Sequence, residues 1–501
     1  MKTKIILLLS LFSILFTACS EDDLYQNPSN ALSDETILET KETANTVLMG
    51  AYDFTGHYYY LTIGEISLDI MGNDLKMTDG NYGFSTYNWL MYAYNYTQYP
   101  RVVDGWWSAY SPYIWLKAYQ AIDQSNLIIN SAEALPAGCE DIVAQAYGIR
   151  AYNFLKLYNL FCPSYNAVGE NGQGLFLRLT PGSADGNDVP RSNLGVSIRQ
   201  IISDLTYAYE NVSNTDNYFI TKRGAALLLA RTYLLAGNYT EAQKYAEIAA
   251  ETFDGSNLMS QEEYQSGFNT INSEWLWGFN FTSETSNIYA SIPSFYHSGT
   301  FKDAESTFGT EGYGSKATYD YLAANAIDWM TGYSTVRATW SFSQLFGEND
   351  CRALFPFYID EKDGLFLSKY SSKGSLGIAD YPMARIAEAY LIEAECLVRS
   401  NQNAEALKVL NALQSKRGGT ISTTISVDEV WKERRRELYG EGFALPDIKR
   451  LQKPLERVGV EHWSNVTSLP ANSPRMMFPI PLDELDYNKV STPADQNEYW
   501  R

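Results

Sequence analysis

The segment from Met383 to Arg417 places apolar residues at helical spacing twice in succession, and no other stretch constrains the fold as tightly. Met383, Ile386, Ala387, Tyr390, Leu391, Ala394, Leu397 and Val398 fall on one helical face. Asn401 and Asn403 interrupt the pattern. Ala404, Leu407, Leu410 and Leu413 then resume it, and Gly418-Gly419 ends it. Two amphipathic helices joined by so short a turn predict a helical hairpin.

A second segment has the same grammar. Ala225 to Leu235 is a helix rich in small residues, Ala236-Gly237-Asn238-Tyr239 turns the chain, and Ala242, Tyr245, Ala246 and Ala249 continue. Small residues where two helices cross, with a Gly-Asn-Tyr turn, resemble the tetratricopeptide unit. Weaker patterns pair residues 41–54 with a helix opening at Ser111-Pro112, a favourable cap and first-turn proline. They also pair 140–161 with 193–211. The expected fold is therefore mainly α, with four tetratricopeptide-like hairpins and minor β structure, including a strand from Glu274 to Phe281. Aromatic, glycine-rich stretches at 57–110, 163–190, 254–382 and 418–501 separate or follow the hairpins and read as irregular. Long insertions of this kind usually carry function. No proline-rich linker divides the chain, so residues 36–501 read as one domain with a loop-rich face.

The N-terminus reads as an export signal. Lys2 and Lys4 precede an apolar run from Ile5 to Phe16, followed by Thr17-Ala18-Cys19. The run is shorter than the roughly 20 apolar residues that span a bilayer. A cysteine directly after the small residue resembles a lipoprotein processing site. That resemblance implies loss of residues 1–18 and lipidation of Cys19, each buried methylene contributing about 0.8 kcal/mol to anchoring. Residues 19–35 form an acidic linker opening Ser20-Glu21-Asp22-Asp23, which resembles an outward-facing surface-export signal.

Charge narrows the partners. The net charge is −21, and loss of Lys2 and Lys4 makes it −23. Such a surface repels nucleic acid and anionic lipid. With Cys19 lipidated, Cys139, Cys162, Cys351 and Cys396 remain. They allow three disulfide pairings, although free, buried thiols are the expectation in a protein of this size.

Several segments together resemble the SusD/RagB family of outer-membrane nutrient-binding lipoproteins. They are Ala44 to Tyr52, Tyr119 to Asn126, Ala146 to Phe161, Arg385 to Glu395, and Glu433 to Leu438 with Glu441-Gly442 and Asp447. Phe478-Pro479-Ile480-Pro481 follows them, and the order matches the family behind the lipoprotein signal. A terminal Q-N-P-G-Y element appears instead as Gln496-Asn497-Glu498-Tyr499, without its Pro-Gly turn. The resemblance implies a SusD-like fold and a non-catalytic role. The protein would capture an oligosaccharide, less often a peptide, and pass it to a TonB-dependent, SusC-like barrel transporter. The lipid at Cys19 would hold it at the outer membrane, facing outward. Arg434, Arg435 and Arg436 alternate with Glu433, Glu437 and Glu441, which predicts an ion network along one helix.

Enzyme signatures are scarce. His57, His297 and His462 are the only histidines, and no H-E-x-x-H, C-x-x-C, G-x-S-x-G or Walker A pattern occurs. No cofactor is implied, and no side chains have metal-ligand spacing. A calcium site built from loop oxygens would leave little sequence trace. A glycosidase needs only two carboxylates and is the alternative enzyme class.

Sugar binding needs flat aromatic faces with polar groups at their rims. The best local match is 69–107, where the polar candidates are Asp69, Asn73, Asp74, Asn81 and Arg101, and the aromatic ones are Tyr82, Tyr87, Trp89, Trp106 and Trp107. The family resemblance implies that part of the ligand site lies there and that 284–333, after the expected strand, also faces ligand, with Tyr296, Tyr313 and Trp329 as candidates. Trp115, Trp275 and Trp277 lie on the expected helix and strand and are assigned to the core.

Overall fold

The computed structural model describes residues 38–78, 86–94, 110–183, 187–287, 290–296, 335–355, 364–373, 377–459 and 462–501. In chain order its principal helices are α1 (Lys41–Gly56), α2 (Tyr58–Ile70), α3 (Thr86–Tyr92), α4 (Tyr110–Asn130), α5 (Glu140–Phe161) and α6 (Leu194–Asn211). They continue with α7 (Lys222–Leu235), α8 (Tyr239–Ala250), α9 (Ile386–Arg399), α10 (Asn403–Lys416), α11 (Val427–Leu438), α12 (Ala444–Arg450) and α13 (Leu482–Tyr487).

The helices pack in an unbroken series: α1 on α4, α4 on α5, α5 on α6, α6 on α7, α7 on α8, α8 on α9 and α9 on α10. The four pairs expected from sequence are successive members of that series. Local chemistry fixes the ends of the helices. Asn193 accepts the Val196 N–H at 3.0 Å, and Asn238 accepts the Glu241 N–H at 3.2 Å. Gly237 (φ +71°) turns α7 into α8, and Asn401 (φ +62°) turns α9 into α10. Ala225, Ala226, Ala230, Ala242, Ala246 and Ala249 are fully buried, so small residues do line the α7–α8 crossing.

Two expectations change. The α9 hairpin begins later than the apolar period suggests. Tyr381–Arg385, which includes Met383, is a buried strand pairing antiparallel with Trp275–Phe279, in register Phe279↔Tyr381 and Trp275↔Arg385. Alternating burial cannot mark a strand whose both faces are covered. The stretches from 57 and from 418 are also not irregular: α2 and α3 lie in the first, and α11, α12 and α13 in the second. Every residue from Tyr60 to Ile70 is buried, so α2 has no polar face and no amphipathic period to read.

Charges cement the core. Arg385 donates to Glu274, Glu437 and Glu441 at 2.7 Å each. Arg417 reaches Glu274 at 2.8 Å and Glu437 at 3.0 Å, and Arg352 reaches Glu437 at 3.0 Å. Burial alone would raise the Glu437 carboxyl, but Arg417, Arg385 and Arg352 hold it well below the usual carboxylate range. The network is thus buried and joins separate elements. Only Arg436–Glu433 follows the expected one-helix pattern. Arg434 turns to Asp447, and Arg435 to Asp74.

The departure at the C-terminus keeps its working part. Asn497 donates to the carbonyls of Phe161 (2.8 Å) and Phe478 (2.6 Å). Gln496 bonds the Ile480 N–H and carbonyl at 2.7 and 2.9 Å. These amides stitch the tail to α5 and to the F-P-I-P segment. Glu498–Trp500 then closes as a 3-10 turn without proline or glycine. Cys139, Cys162, Cys351 and Cys396 are free and buried.

Candidate functional site

The first region singled out for ligand contact contains a strand that pairs with one lying just after the second region in the sequence. Strand β1 (Leu75–Met77) pairs antiparallel with β5 (Val336–Ala338) in register Leu75↔Ala338, Lys76↔Arg337 and Met77↔Val336. Here β2 is Gln173–Phe176, β3 Arg191–Asn193 and β4 Trp275–Phe279. The Thr78 N–H bonds the Thr335 carbonyl at 2.8 Å, so the chain leaves and re-enters the sheet at the same end. Thr78 and Thr335 are therefore held side by side despite the 257 positions between them.

An aromatic cluster lies against this sheet. Trp89, on α3, stacks on Trp463 with ring centres 4.6 Å apart and planes 20° apart. The Trp463 indole N–H donates to the Met77 carbonyl at 2.8 Å, which ties the cluster to β1. Tyr92 packs against Trp463 at 5.0 Å, and its hydroxyl lies 2.6 Å from His462 Nδ1. Burial, followed by the charges of Arg457 and Lys76, pushes the His462 pKa down to about 3, so the ring is neutral at physiological pH. Both tryptophans are half-buried, each fixed on one side.

Arg457 holds this assembly from beneath. Its buried guanidinium donates to the carbonyls of Ile70 (2.9 Å), Tyr92 (2.8 Å) and Val466 (3.1 Å). It also lies 4.2 Å from the Tyr92 ring centre. One cation thereby joins α2, α3 and the segment after β7 (Leu455–Glu456) and before β8 (Ser468–Leu469). Trp340 follows β5 directly and is 51% exposed, more than any other tryptophan among the described residues.

Several expected ligand groups have structural partners instead. Asp74 is buried and receives the Arg435 Nε–H at 2.8 Å, so this carboxylate joins β1 to α11 (Val427–Leu438). Asp69 is buried and accepts the N–H groups of Gly442 and Ala444 at 3.0 and 3.1 Å. Burial pushes its pKa up to about 7 against those two bonds. Asn73 accepts the Glu456 N–H at 3.1 Å. Tyr296 is only 1% exposed and packs 5.2 Å from Tyr370, so it faces the core. Trp275 and Trp277 are fully buried, as assigned, and Trp115 nearly so. Tyr87 belongs to α3. Cys19, Asn81, Tyr82, Arg101, Trp106, Trp107, His297, Tyr313 and Trp329 lie outside the described residues.

Sequence reading missed Trp463, His462 and Trp340. Trp463 and His462 sit in a short loop without periodicity, and their relation to Trp89 and Tyr92 exists only in three dimensions. Trp340 carried a usable signal, being a tryptophan between Thr339 and Ser341 in a loop-rich stretch.

Two family models match this chain. One, described as the SusD family, matches residues 357–500. The other, described as starch-binding associating with outer membrane, matches residues 25–234. The chain belongs to the SusD-like family. A SusD-like protein of Formosa agariphila is 22% identical over 491 residues, covering 88% of this chain and 89% of the relative. Among solved structures, a SusD-like carbohydrate-binding protein of Bacteroides vulgatus superposes with TM-score 0.72 at 20% identity, covering 92% of this chain and 98% of that one. Surface glycan-binding protein A of Bacteroides thetaiotaomicron gives TM-score 0.69 at 16% identity, with 93% and 100% covered. At such identities the structural likeness concerns the fold.

Proposed function

We infer that this SusD-like protein binds a glycan at the β1–β5 edge and does so without catalysis. The observation that carries the reading is the Trp89–Trp463 stack held against the β1–β5 sheet. A pyranose ring offers a flat C–H patch and peripheral hydroxyls. Aromatic faces with polar groups at their rims match that chemistry. Trp340 adds an exposed face beside the sheet. Asn81, Tyr82, Arg101, Trp106, Trp107 and Trp329, from stretches 69–107 and 284–333, complete the proposed ligand set. The family model's description and the glycan-binding neighbours support the same ligand class.

The remaining parts of the proposal concern location and delivery. A lipid at Cys19 anchors the protein to the outer membrane, with its acidic surface facing outward. Bound oligosaccharide passes to a TonB-dependent, SusC-like transporter. The test is a glycan array followed by reducing-end analysis of each hit. Binding without new reducing ends is expected. Product release from a bound glycan would make the protein a glycosidase, and peptide binding with no glycan hit would replace the ligand class.

A further inference from the structure

A second concavity lies away from the β1–β5 edge. It is a groove of about 670 Å³ between α4, the segment after β2 and the C-terminal α13 (Leu482–Tyr487). Its walls are apolar, formed by Trp115, Leu116, Tyr119, Ile122 and Pro481, with Tyr487 at the edge. Leu116 is 41% and Tyr487 74% exposed, which is unusual for large apolar side chains so close together.

The charge and hydrogen-bonding capacity of the lining lean toward acceptors. Most of its donors are already engaged within the protein. Arg178 gives two N–H groups to Glu484 at 3.0 and 2.8 Å and a third to the Asn187 carbonyl. The Trp115 indole N–H also goes to Glu484, and the Tyr119 hydroxyl goes to the Phe176 carbonyl. The side-chain amide of Asn126 donates to the carbonyls of Arg178 and Thr180, that of Asn187 to Thr180, and that of Asn488 to Val189 and Glu484.

The acceptors are in surplus. Gln120 Oε1 is buried in the groove wall and has no hydrogen-bond partner among the described residues. Asp123 accepts only the Gly182 N–H among the hydrogen bonds of the described residues, and Asp188 is approached by the exposed Lys489 ammonium at 3.8 Å. Glu484 is neutralised by Arg178, so the uncompensated charge at the rim is negative.

An apolar trough whose rim carries surplus acidic acceptors suits a cationic ligand rich in donors. We propose that it docks a segment of another protein that presents an arginine or lysine side chain between apolar residues. The donor-only guanidinium or ammonium meets Gln120, Asp123 and Asp188, and the flanking apolar residues cover Leu116 and Tyr487. A second copy of this chain is a poor source, because two surfaces of net charge −21 repel. The inference is independent of the glycan reading, since no residue of the Trp89–Trp463 cluster lines the groove.

The test uses the full chain and two acetylated, amidated, fluorescein-labelled peptides. One is Leu-Arg-Leu-Arg-Leu, and the other has citrulline, a neutral isostere, in place of arginine. Fluorescence anisotropy should show saturable, salt-sensitive binding of the arginine peptide. The citrulline peptide should bind at least about tenfold more weakly, as loss of charge-assisted bonds requires. Tyr487→Ala and Asp188→Asn should each weaken the arginine peptide by about fivefold, and Ile421→Ala, at an exposed site outside the groove lining, should leave it unchanged. Equal affinity for both peptides, affinity undiminished in the two groove variants, or no saturable binding would each overturn the proposal. Glycan binding unaffected by Tyr487→Ala would show that this failure is separate from any failure of the glycan site.

Discussion

Trp463 and Trp89 lie 4.6 Å apart and nearly parallel, although 374 positions separate them in the chain. The Trp463 indole N–H is bonded to the Met77 carbonyl, so the stack is tied to the β1–β5 sheet. This contact gives the proposed ligand site a rigid backing and sets the first expectation. Trp463→Ala removes both the stacking surface and the tether. It should weaken glycan binding by about 1–3 kcal/mol, roughly 5- to 150-fold, while the helical series stays folded. Titration calorimetry and far-ultraviolet circular dichroism on the same samples check both parts.

Trp340 offers a milder perturbation. It is 51% exposed, so Trp340→Ala opens no core cavity. Stability should change by less than about 0.5 kcal/mol, as for an ordinary surface substitution. Glycan affinity should fall all the same. A loss of stability without a loss of affinity would assign Trp340 to packing.

The buried ion network predicts a large effect from a single deletion. Glu437 receives Arg352, Arg385 and Arg417 in a site with no access to solvent. Arg417→Met leaves carboxylates of Glu437 and Glu274 undercompensated and should cost about 3–5 kcal/mol. Urea denaturation measures it. The cost should shrink when Glu437→Gln is added, because the stranded charge is then removed.

The pH dependence of the aromatic cluster follows from His462. Its folded pKa is about 3, well below the ordinary value near 6.5. A depressed histidine contributes stability that is fully present above the unfolded pKa and is lost as pH falls from there through the folded value. The imidazole should therefore remain neutral at pH 5 by nuclear magnetic resonance. A titration midpoint above pH 6 would mean that burial and Arg457 do not act on it as described.

The tail makes a more local prediction. Asn497→Ala removes the amide that serves the carbonyls of Phe161 and Phe478, leaving Phe161 with Arg191 at 3.2 Å. The expected cost is about 1–3 kcal/mol, read as a lower urea midpoint.

The helical scaffold was legible because its hairpins are amphipathic and carry their own stop signals, such as Gly237 and Asn401. Helix α2 was not, because a segment buried on all sides loses the contrast that periodicity needs. The same blindness hid strand Tyr381–Arg385 inside an apparent helix. Trp89 was legible as an aromatic in a loop-rich stretch. Asp74 looked equally suitable, but its ion pair with Arg435 depends on a residue 361 positions away. Trp463 posed the reverse problem: nothing around it marks it until the fold sets it against Trp89.

The most direct test is calorimetric titration of an oligosaccharide hit from the array into the wild-type protein and into Trp463→Ala. The account predicts saturable binding to the wild type, a fall of roughly 5- to 150-fold in the variant, and no released product in either. Equal affinity in the two proteins would contradict the β1–β5 edge as the glycan site, and new reducing ends would contradict the non-catalytic role.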